Sequence, residues 1–172
     1  KTINKEEKVS YLGVDWGGKP DIDGVKRGQS FCAAVIISID HQERFVIEYV
    51  ERLKQLDLTS KIDLVERMFR LYGIRSAVGD IGFAEDLSNE LKKIYGEKFK
   101  TCRNAGTVAG GVKYNRDELE IVVEKDKIIG EVFNLLRKGQ IRFPWASYEK
   151  IAWMVRHCCS METKMTERNG MP

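Results

Sequence analysis

Two short stretches decide the fold: residues 13–18 read Gly-Val-Asp-Trp-Gly-Gly, and residues 77–82 read Ala-Val-Gly-Asp-Ile-Gly. In each, an apolar run ends in an aspartate, Asp15 or Asp80, and a glycine follows two residues later. Such a run predicts a strand, and an acid at its end is costly to desolvate unless it meets a hydrogen-bonding or metal partner. If the two strands are neighbours about 4.8 Å apart, both carboxylates emerge at one sheet edge and can share a metal ion.

Each aspartate taken alone also fits a strand-end turn or a helix N-cap, which are common uses of Asp-x-Gly. Two carboxylates at one edge repel each other, and a bound Mg²⁺ or Mn²⁺, which prefers oxygen ligands, relieves that repulsion. The shared context of Asp15 and Asp80 therefore favours a metal site over two unrelated turns.

The apolar periodicity around these stretches predicts three strands first, at residues 11–15, 30–39 and 44–53. Short links between them indicate an antiparallel meander. A helix follows, with a capping box at Thr59-Ser60 and Asp63 and an end at Gly73. The next predicted elements are a strand at residues 75–80, a helix ending at Gly96 and a strand at residues 99–103.

The second half of the chain is less regular. Residues 104–117 carry three glycines and predict a loop or an irregular hairpin. The elements predicted after it are an edge strand at residues 119–123, a helix from Asp126 to Gly139, a short strand at residues 140–143 and a helix capped by Ser147. This order predicts an α/β fold with a mixed sheet of five or more strands, the first three antiparallel, and helices on both faces.

Composition limits the possible functions. The chain has 172 residues, 29 Lys and Arg against 26 Asp and Glu, and a net charge of +3, which permits nucleic-acid binding without arguing for it. The 42% of hydrophobic residues excludes a disordered chain, and the longest apolar run, residues 31–37, is shorter than the ~20 residues that cross a bilayer. The four cysteines lack zinc-site spacing, so we expect reduced thiols in an intracellular protein.

The Gly-Val-Asp-x-Gly strand, the strand ending at residues 79–82, and Gly-Gln-Ile-Arg-Phe-Pro at residues 139–144 resemble the nuclease domain of bacteriophage terminase large subunits. That family belongs to the ribonuclease H-like, or retroviral-integrase-like, superfamily. The resemblance covers roughly residues 11–172 as a single nuclease domain and leaves residues 1–10 as a frayed arm or linker remnant. Since Lys1 is not Met, we expect an excised piece of a longer polypeptide.

The resemblance implies a metal-dependent endonuclease that cleaves double-stranded viral DNA during genome packaging, with two Mg²⁺ or Mn²⁺ ions. It makes Asp15 and Asp80 metal ligands and catalytic residues. The family's third acid comes from near its C-terminal helix, where this chain offers Glu149, Glu162 and Glu167. We therefore expect the third ligand beyond Pro172, or else Glu162 or Glu167.

The same resemblance implies partners and a location. The expected partners are double-stranded DNA, an ATPase domain of the same polypeptide, a portal protein and a small terminase subunit, with no membrane contact. The expected location is the cytoplasm of the infected host cell.

DNA contact needs positive charge near the acids, because carboxylates repel phosphate. Residues 98–116 contain five basic residues and no acid. Within them Arg103, Lys113 and Arg116 are the predicted DNA-binding residues, with Lys19 in a weaker second set. The alternative is an ordinary solvated loop. Trp16, next to Asp15, is expected to shield the metal or to stack on a base or sugar.

Other functions fit parts of the sequence. A Holliday-junction-resolvase-like nuclease would share the fold and would require branched DNA. A non-catalytic module that docks DNA or a protein would leave Asp15 and Asp80 with structural roles only. A sugar-kinase-like ATPase shares Gly-Val-Asp-x-Gly, but it needs a second subdomain for which 172 residues leave little room.

Overall fold

The computed structural model describes residues 9–17, 32–53, 57–81, 85–143, 149 and 151–156. The strands within them are β1 (Ser10–Asp15), β2 (Cys32–Ile39), β3 (Phe45–Leu53), β4 (Ile74–Asp80), β5 (Phe99–Ala105), β6 (Val112–Asn115), β7 (Glu120–Glu124) and β8 (Ile141–Arg142). The helices are α1 (Leu58–Tyr72), α2 (Glu85–Tyr95) and α3 (Lys125–Arg137), with a 3-10 turn at Gly96–Lys98 and helical residues at 151–156. All eight strands form one mixed sheet in the order β6-β7-β5-β4-β1-β2-β3-β8.

The first three strands form the predicted antiparallel meander. β1 pairs with β2 from Ser10↔Ser38 to Asp15↔Ala33, and β2 pairs with β3 across a bulge after Ile36. Side chains alternate between buried and exposed along β1, so successive residues lie on opposite faces of the sheet. The prediction of an α/β fold with a mixed sheet of five or more strands is confirmed.

α1 follows β3, and its ends have local causes. The Asp57 carboxylate accepts a hydrogen bond from the Ser60 backbone N–H at 2.7 Å, and Gly73 ends the helix in the left-handed region at φ 58°. The predicted capping box at Thr59-Ser60 is wrong, because Asp57 caps the helix first and draws both residues into it.

Four neighbouring strands of the sheet run parallel: β4 pairs with β1, β5 with β4, and β7 with β5. β6 pairs antiparallel with β7 and forms the edge. The predicted loop or irregular hairpin at residues 104–117 thus contains one strand, β6, whose partner β7 lies beyond that range. The prediction that residues 119–123 form an edge strand is wrong, since β7 lies between β5 and β6.

α3 begins directly after β7. Glu124 is its N-cap and gives no side-chain cap hydrogen bond, so the prediction of Asp126 as the cap is wrong. After Gly139, which has φ 66°, the chain enters β8, and β8 pairs parallel with β3. The prediction that Ser147 caps the last helix falls outside the described residues.

α1 and α2 pack on one face of the sheet, here called the core face. The buried cluster on this face joins side chains of both helices to side chains of β1, β2, β4 and β5: Leu12, Val14, Trp16, Cys32, Ala34, Ile36, Leu64, Val65, Met68, Ile74, Ala77, Leu87, Leu91 and Phe99. The rings of Phe69 and Tyr95 stack at 4.2 Å between the two helices. This packing fixes the central strands and leaves the opposite face of β1 and β4 to carry Asp15 and Asp80.

In the part of the chain that the structure describes, every helix is too short or too polar to cross a membrane.

Candidate functional site

Asp15 and Asp80 end two neighbouring parallel strands. The last paired residues of β1 and β4 are Val14 and Gly79, and each aspartate is the next residue along its strand. Because Val14 and Gly79 belong to the buried, core-facing set, alternation places both aspartates on the opposite face, here called the acid face. Neighbouring strands lie about 4.8 Å apart, so the two carboxylates share one edge and one face of the sheet.

The Asp15 side chain is exposed, and its Oδ1 accepts a hydrogen bond at 2.9 Å from the backbone N–H of Gly17. Gly17 adopts φ 70°, a conformation that favours glycine. This is the hydrogen bond that the strand-end-turn interpretation of Asp-x-Gly expects. It uses one of the two carboxylate oxygens and holds the carboxylate beside the end of β1.

On the core face, the buried Trp16 packs against Gly79 and so joins the ends of β1 and β4. Trp16 is only 4% exposed. A Cβ at Gly79 would lie 3.0 Å from Trp16 Nε1 and 2.9 Å from Phe99 Cζ, so only glycine fits there without displacing a ring. Trp16 follows Asp15 and Gly79 precedes Asp80, and the indole thus fixes one acid-bearing strand end against the other.

The burial of Trp16 contradicts the interpretation of this residue as a platform for a base or sugar. The Trp16 backbone carbonyl accepts a hydrogen bond from Cys32 Sγ at 2.6 Å, and Lys61 Nζ lies 5.9 Å from the centroid of its ring. The ring therefore belongs to the core. The sequence suggested exposure because Trp16 follows a polar residue in a glycine-rich stretch, but alternation along β1 turns it inward.

Each described cysteine adjoins one of the two acids. Cys102 pairs with Asp80 across β4 and β5, and burial, followed by the negative charges of Asp80 and Glu120, raises the pKa of its thiol. Burial likewise raises the pKa of Cys32; Lys61 lowers it and Asp15 raises it. Neither Cys32 nor Cys102 forms a disulfide within the described residues.

Two oxygen ligands fit the preference of a hard divalent cation. Within the described residues no group of three or more His, Cys, Asp or Glu side chains is close enough to hold a metal ion. Glu162 and Glu167, predicted as possible third ligands, lie outside that part of the chain, and Glu149 is exposed. Asp15 and Asp80 are thus the two carboxylates that the adjacent ends of β1 and β4 carry on one face of the sheet.

The predicted DNA-binding residue Arg103 is engaged within the fold. Its Nε and Nη2 donate to the two carboxylate oxygens of Glu120, each at 3.0 Å. The Glu120 side chain is 8% exposed, and hydrogen bonding from Arg103 lowers its pKa. The pair links β5 to β7 and satisfies a buried carboxylate.

Two other predicted DNA-binding residues, Lys113 and Arg116, lie away from the acids. Lys113 is exposed in the middle of β6, opposite Val122. Arg116 follows β6 and lies 3.9 Å from Glu97, at the edge where β5 and β7 begin. Asp15 and Asp80 lie on the other side, at the C-terminal ends of the parallel strands. Lys19 is outside the described residues.

Comparison with known proteins supports the fold. No protein-family model and no curated protein matches the chain. A solved structure that resembles it is the large terminase nuclease from thermophilic phage G20c, with a TM-score of 0.54 and 16% identity. The alignment covers 82% of this chain and 61% of the phage chain, so it spans less than two thirds of that protein. At this identity the similarity establishes the fold and confirms the ribonuclease H-like architecture.

Proposed function

We propose that the chain is a metal-dependent endonuclease domain that hydrolyses phosphodiester bonds of double-stranded DNA. The observation that carries the proposal is the β1–β4 register, in which Val14 pairs with Gly79 and the next residues are Asp15 and Asp80. The similarity of the fold to a phage large terminase nuclease supports the same chemistry.

Divalent ions bound at this edge would supply an activated water and would neutralise charge on the leaving oxygen. The chain's own contribution is to hold two carboxyl groups on adjacent strands and on one face of the sheet. The turn at Gly17 orients Asp15, and the Trp16–Gly79 contact fixes the spacing of the strand ends. We propose a third acidic ligand from Glu162, Glu167 or a residue beyond Pro172.

The biological setting follows the same resemblance. We propose cleavage of viral DNA during genome packaging in the cytoplasm of the infected host, with Mg²⁺ or Mn²⁺ as the ions. An ATPase domain of the same polypeptide, a portal protein and a small terminase subunit are the proposed protein partners.

The test is a plasmid-nicking assay with Mn²⁺, Mg²⁺ or EDTA on the wild type, Asp15→Asn and Asp80→Asn. We expect EDTA to stop cleavage and each substitution to lower it by at least about 100-fold, because each removes a charged oxygen ligand. Folding is checked by circular dichroism, and we expect unchanged or higher stability because carboxylate repulsion is relieved. Asp63→Asn, at an exposed position on α1, is the matched control and is expected to cleave normally.

Three outcomes would contradict the proposal. Undiminished cleavage by Asp15→Asn would show that Asp15 does not hold a catalytic metal ion. Cleavage of four-way junctions with linear duplex left intact would favour a resolvase-like nuclease. DNA binding without cleavage in either metal would favour a docking module in which the two aspartates are structural.

A further inference from the structure

The parallel part of the sheet brings two further segments to the edge that carries the acids. β1, β4, β5 and β7 are successive parallel neighbours, so their C-terminal ends lie at one edge. The loop of residues 106–111 follows β5 at this edge, and α3 begins there after β7. At about 4.8 Å per strand, β7 lies about 10 Å from β4 and about 14 Å from β1.

The loop is docked against the end of β7. Gly111 N–H donates to the Val108 carbonyl at 2.8 Å, and Glu124 N–H donates to the Gly111 carbonyl at 2.9 Å. Val108 N–H donates to the Glu124 carboxylate at 3.4 Å, and the Val108 side chain is buried. These contacts hold a loop whose other residues, Gly106, Thr107, Ala109 and Gly110, are exposed.

Gly111 makes room for a lysine. Its φ is +82°, and a Cβ there would lie 2.7 Å from Lys127 Cδ and 3.2 Å from Lys127 Cε. The stem of Lys127 therefore crosses the loop backbone, and its ammonium, one bond beyond Cε, lies beside the loop in an exposed residue. Lys125 is a second exposed lysine in the same turn.

Charge differs between the two sides of this edge. The first turn of α2, which follows β4 on the core face, carries the exposed acids Glu85 and Asp86. On the loop side, the Glu124 carboxylate accepts from the loop backbone, and Asp126 is the one other acid in the first turn of α3. A polyanion at the acids therefore meets net negative charge on the α2 side, whereas on the loop side Lys125 and Lys127 balance Glu124 and Asp126.

We infer that loop 106–111, Lys127 and Lys125 form a phosphate-binding track for the DNA backbone beside the acid pair. This inference rests on the proposed nuclease function. Lys98 and Arg116, from the same basic segment of the sequence, lie at the opposite edge and do not belong to the track. At about 3.4 Å of axial rise per base pair, 10–14 Å places the contacted phosphates about three to four base pairs from the cut.

The test is duplex binding in EDTA, measured by fluorescence anisotropy from 50 to 200 mM salt. We expect Lys127→Gln to weaken binding by about 5–10-fold at 0.1 M salt and to reduce the salt slope by about 0.9, the value for one lost phosphate contact. Lys125→Gln combined with Lys127→Gln is expected to reduce the slope by about 1.8. Lys127→Arg keeps the charge and is expected to bind like the wild type.

The matched control is Lys98→Gln, which removes an exposed lysine at the opposite edge. It is expected to leave the affinity and the salt slope unchanged.

If Lys127→Gln binds the duplex with wild-type affinity, or if Lys98→Gln loses as much affinity as Lys127→Gln, the proposed phosphate-binding track is wrong. The proposed function fails separately, through normal cleavage by Asp15→Asn. If the wild type binds no duplex in EDTA, the track is wrong even where cleavage depends on the acids. A track that acts by binding also predicts that Lys127→Gln raises KM and leaves kcat unchanged.

Discussion

The acid-bearing ends of β1 and β4 contrast with the basic segment 98–116. Asp15 and Asp80 are far apart in sequence, yet the parallel register of their strands brings them to one edge and one face. The basic residues are close in sequence, yet β5 and β6 carry them across the sheet and leave Lys98 and Arg116 at the edge away from the acids. In a sheet, equivalent positions on neighbouring strands converge, whereas consecutive positions along a strand diverge.

The largest expected effect on stability comes from Gly79→Ala. The new methyl group pushes apart the ends of β1 and β4, which carry Asp15 and Asp80. The added methyl would meet Phe99 and Trp16 at about the distance of a steric clash. We expect a loss of about 1–3 kcal/mol in the free energy of unfolding, measured by urea denaturation. We also expect reduced cleavage at temperatures where the variant remains folded.

Two variants make the Gly79 prediction specific. Gly13→Ala, at a position on β1 with open space around the new methyl, is the control and is expected to leave stability nearly unchanged. Phe99→Leu added to Gly79→Ala frees part of the space and is expected to restore cleavage in part. Normal stability and cleavage in Gly79→Ala would show that the contact with Trp16 does not position the acids.

An effect on stability with little effect on DNA binding is expected from Arg103→Ala, which separates structural from DNA-binding roles in the basic segment. The variant leaves the buried Glu120 carboxylate without its two-point donor, so we expect a loss of about 1–3 kcal/mol in unfolding free energy. The salt slope of DNA binding is expected to change by less than about 0.5, because Glu120 already holds the guanidinium. A slope change equal to that of Lys127→Gln, with unchanged stability, would reverse this assignment.

The pH dependence of stability provides a third prediction. Hydrogen bonding from Arg103 lowers the pKa of Glu120 from 4.5. A lowered pKa means that the carboxylate form is favoured in the fold, so its contribution is present above the unfolded pKa and is lost as pH falls through the folded pKa. We therefore expect Glu120→Gln to flatten the fall in unfolding free energy below about pH 4.5.

Asp40 supplies the internal comparison for that experiment. Hydrogen bonds from Arg44 and Gln42 lower the pKa of Asp40 to about 2, and this residue lies in the β2–β3 turn away from Glu120. Glu120→Gln is thus expected to keep the part of the acid-induced loss of unfolding free energy that protonation of Asp40 causes. Identical pH profiles for the wild type and Glu120→Gln would contradict the role given to the Arg103–Glu120 pair.

The smallest effect concerns Cys102 as a reporter of charge at the acid edge. Burial, Asp80 and Glu120 raise the pKa of its thiol, so the reactive thiolate is scarce at neutral pH. Asp80→Asn removes one of the negative charges, and we expect faster alkylation of Cys102 by iodoacetamide, measured by mass spectrometry. Cys32, which lies near Asp15, is expected to react at an unchanged rate in that variant.

Local patterns in the sequence account for most of the fold. The meander and the strand that ends at Asp80 follow from apolar periodicity and turn residues. The cap of α1 could not be assigned, because Asp57, Thr59 and Ser60 are all good caps within four residues and the chain uses the first. The pairing of β6 with β7 and of β8 with β3 depends on long-range contacts that periodicity does not encode.

The candidate site likewise has features that local sequence patterns predict and features that depend on long-range contacts. The shared context of Asp15 and Asp80 predicted their convergence because it marks equivalent strand ends. The engagement of Arg103 by Glu120 depends on the register of β5 with β7, and the approach of Lys127 to Gly111 depends on the docking of the loop. Neither follows from spacing along the chain, because a run of basic residues in the sequence does not specify which end or face of the sheet each side chain reaches.

Binding of Mn²⁺, followed by electron paramagnetic resonance, tests most directly whether the two aspartates form one cation site. The wild type is expected to bind Mn²⁺ saturably, and Asp15→Asn and Asp80→Asn are each expected to weaken binding by at least about 10-fold. The double variant is expected to bind little more weakly than either single variant, because both remove ligands of the same ion. Wild-type Mn²⁺ affinity in Asp15→Asn, or losses in the two variants that add independently, would contradict a shared site.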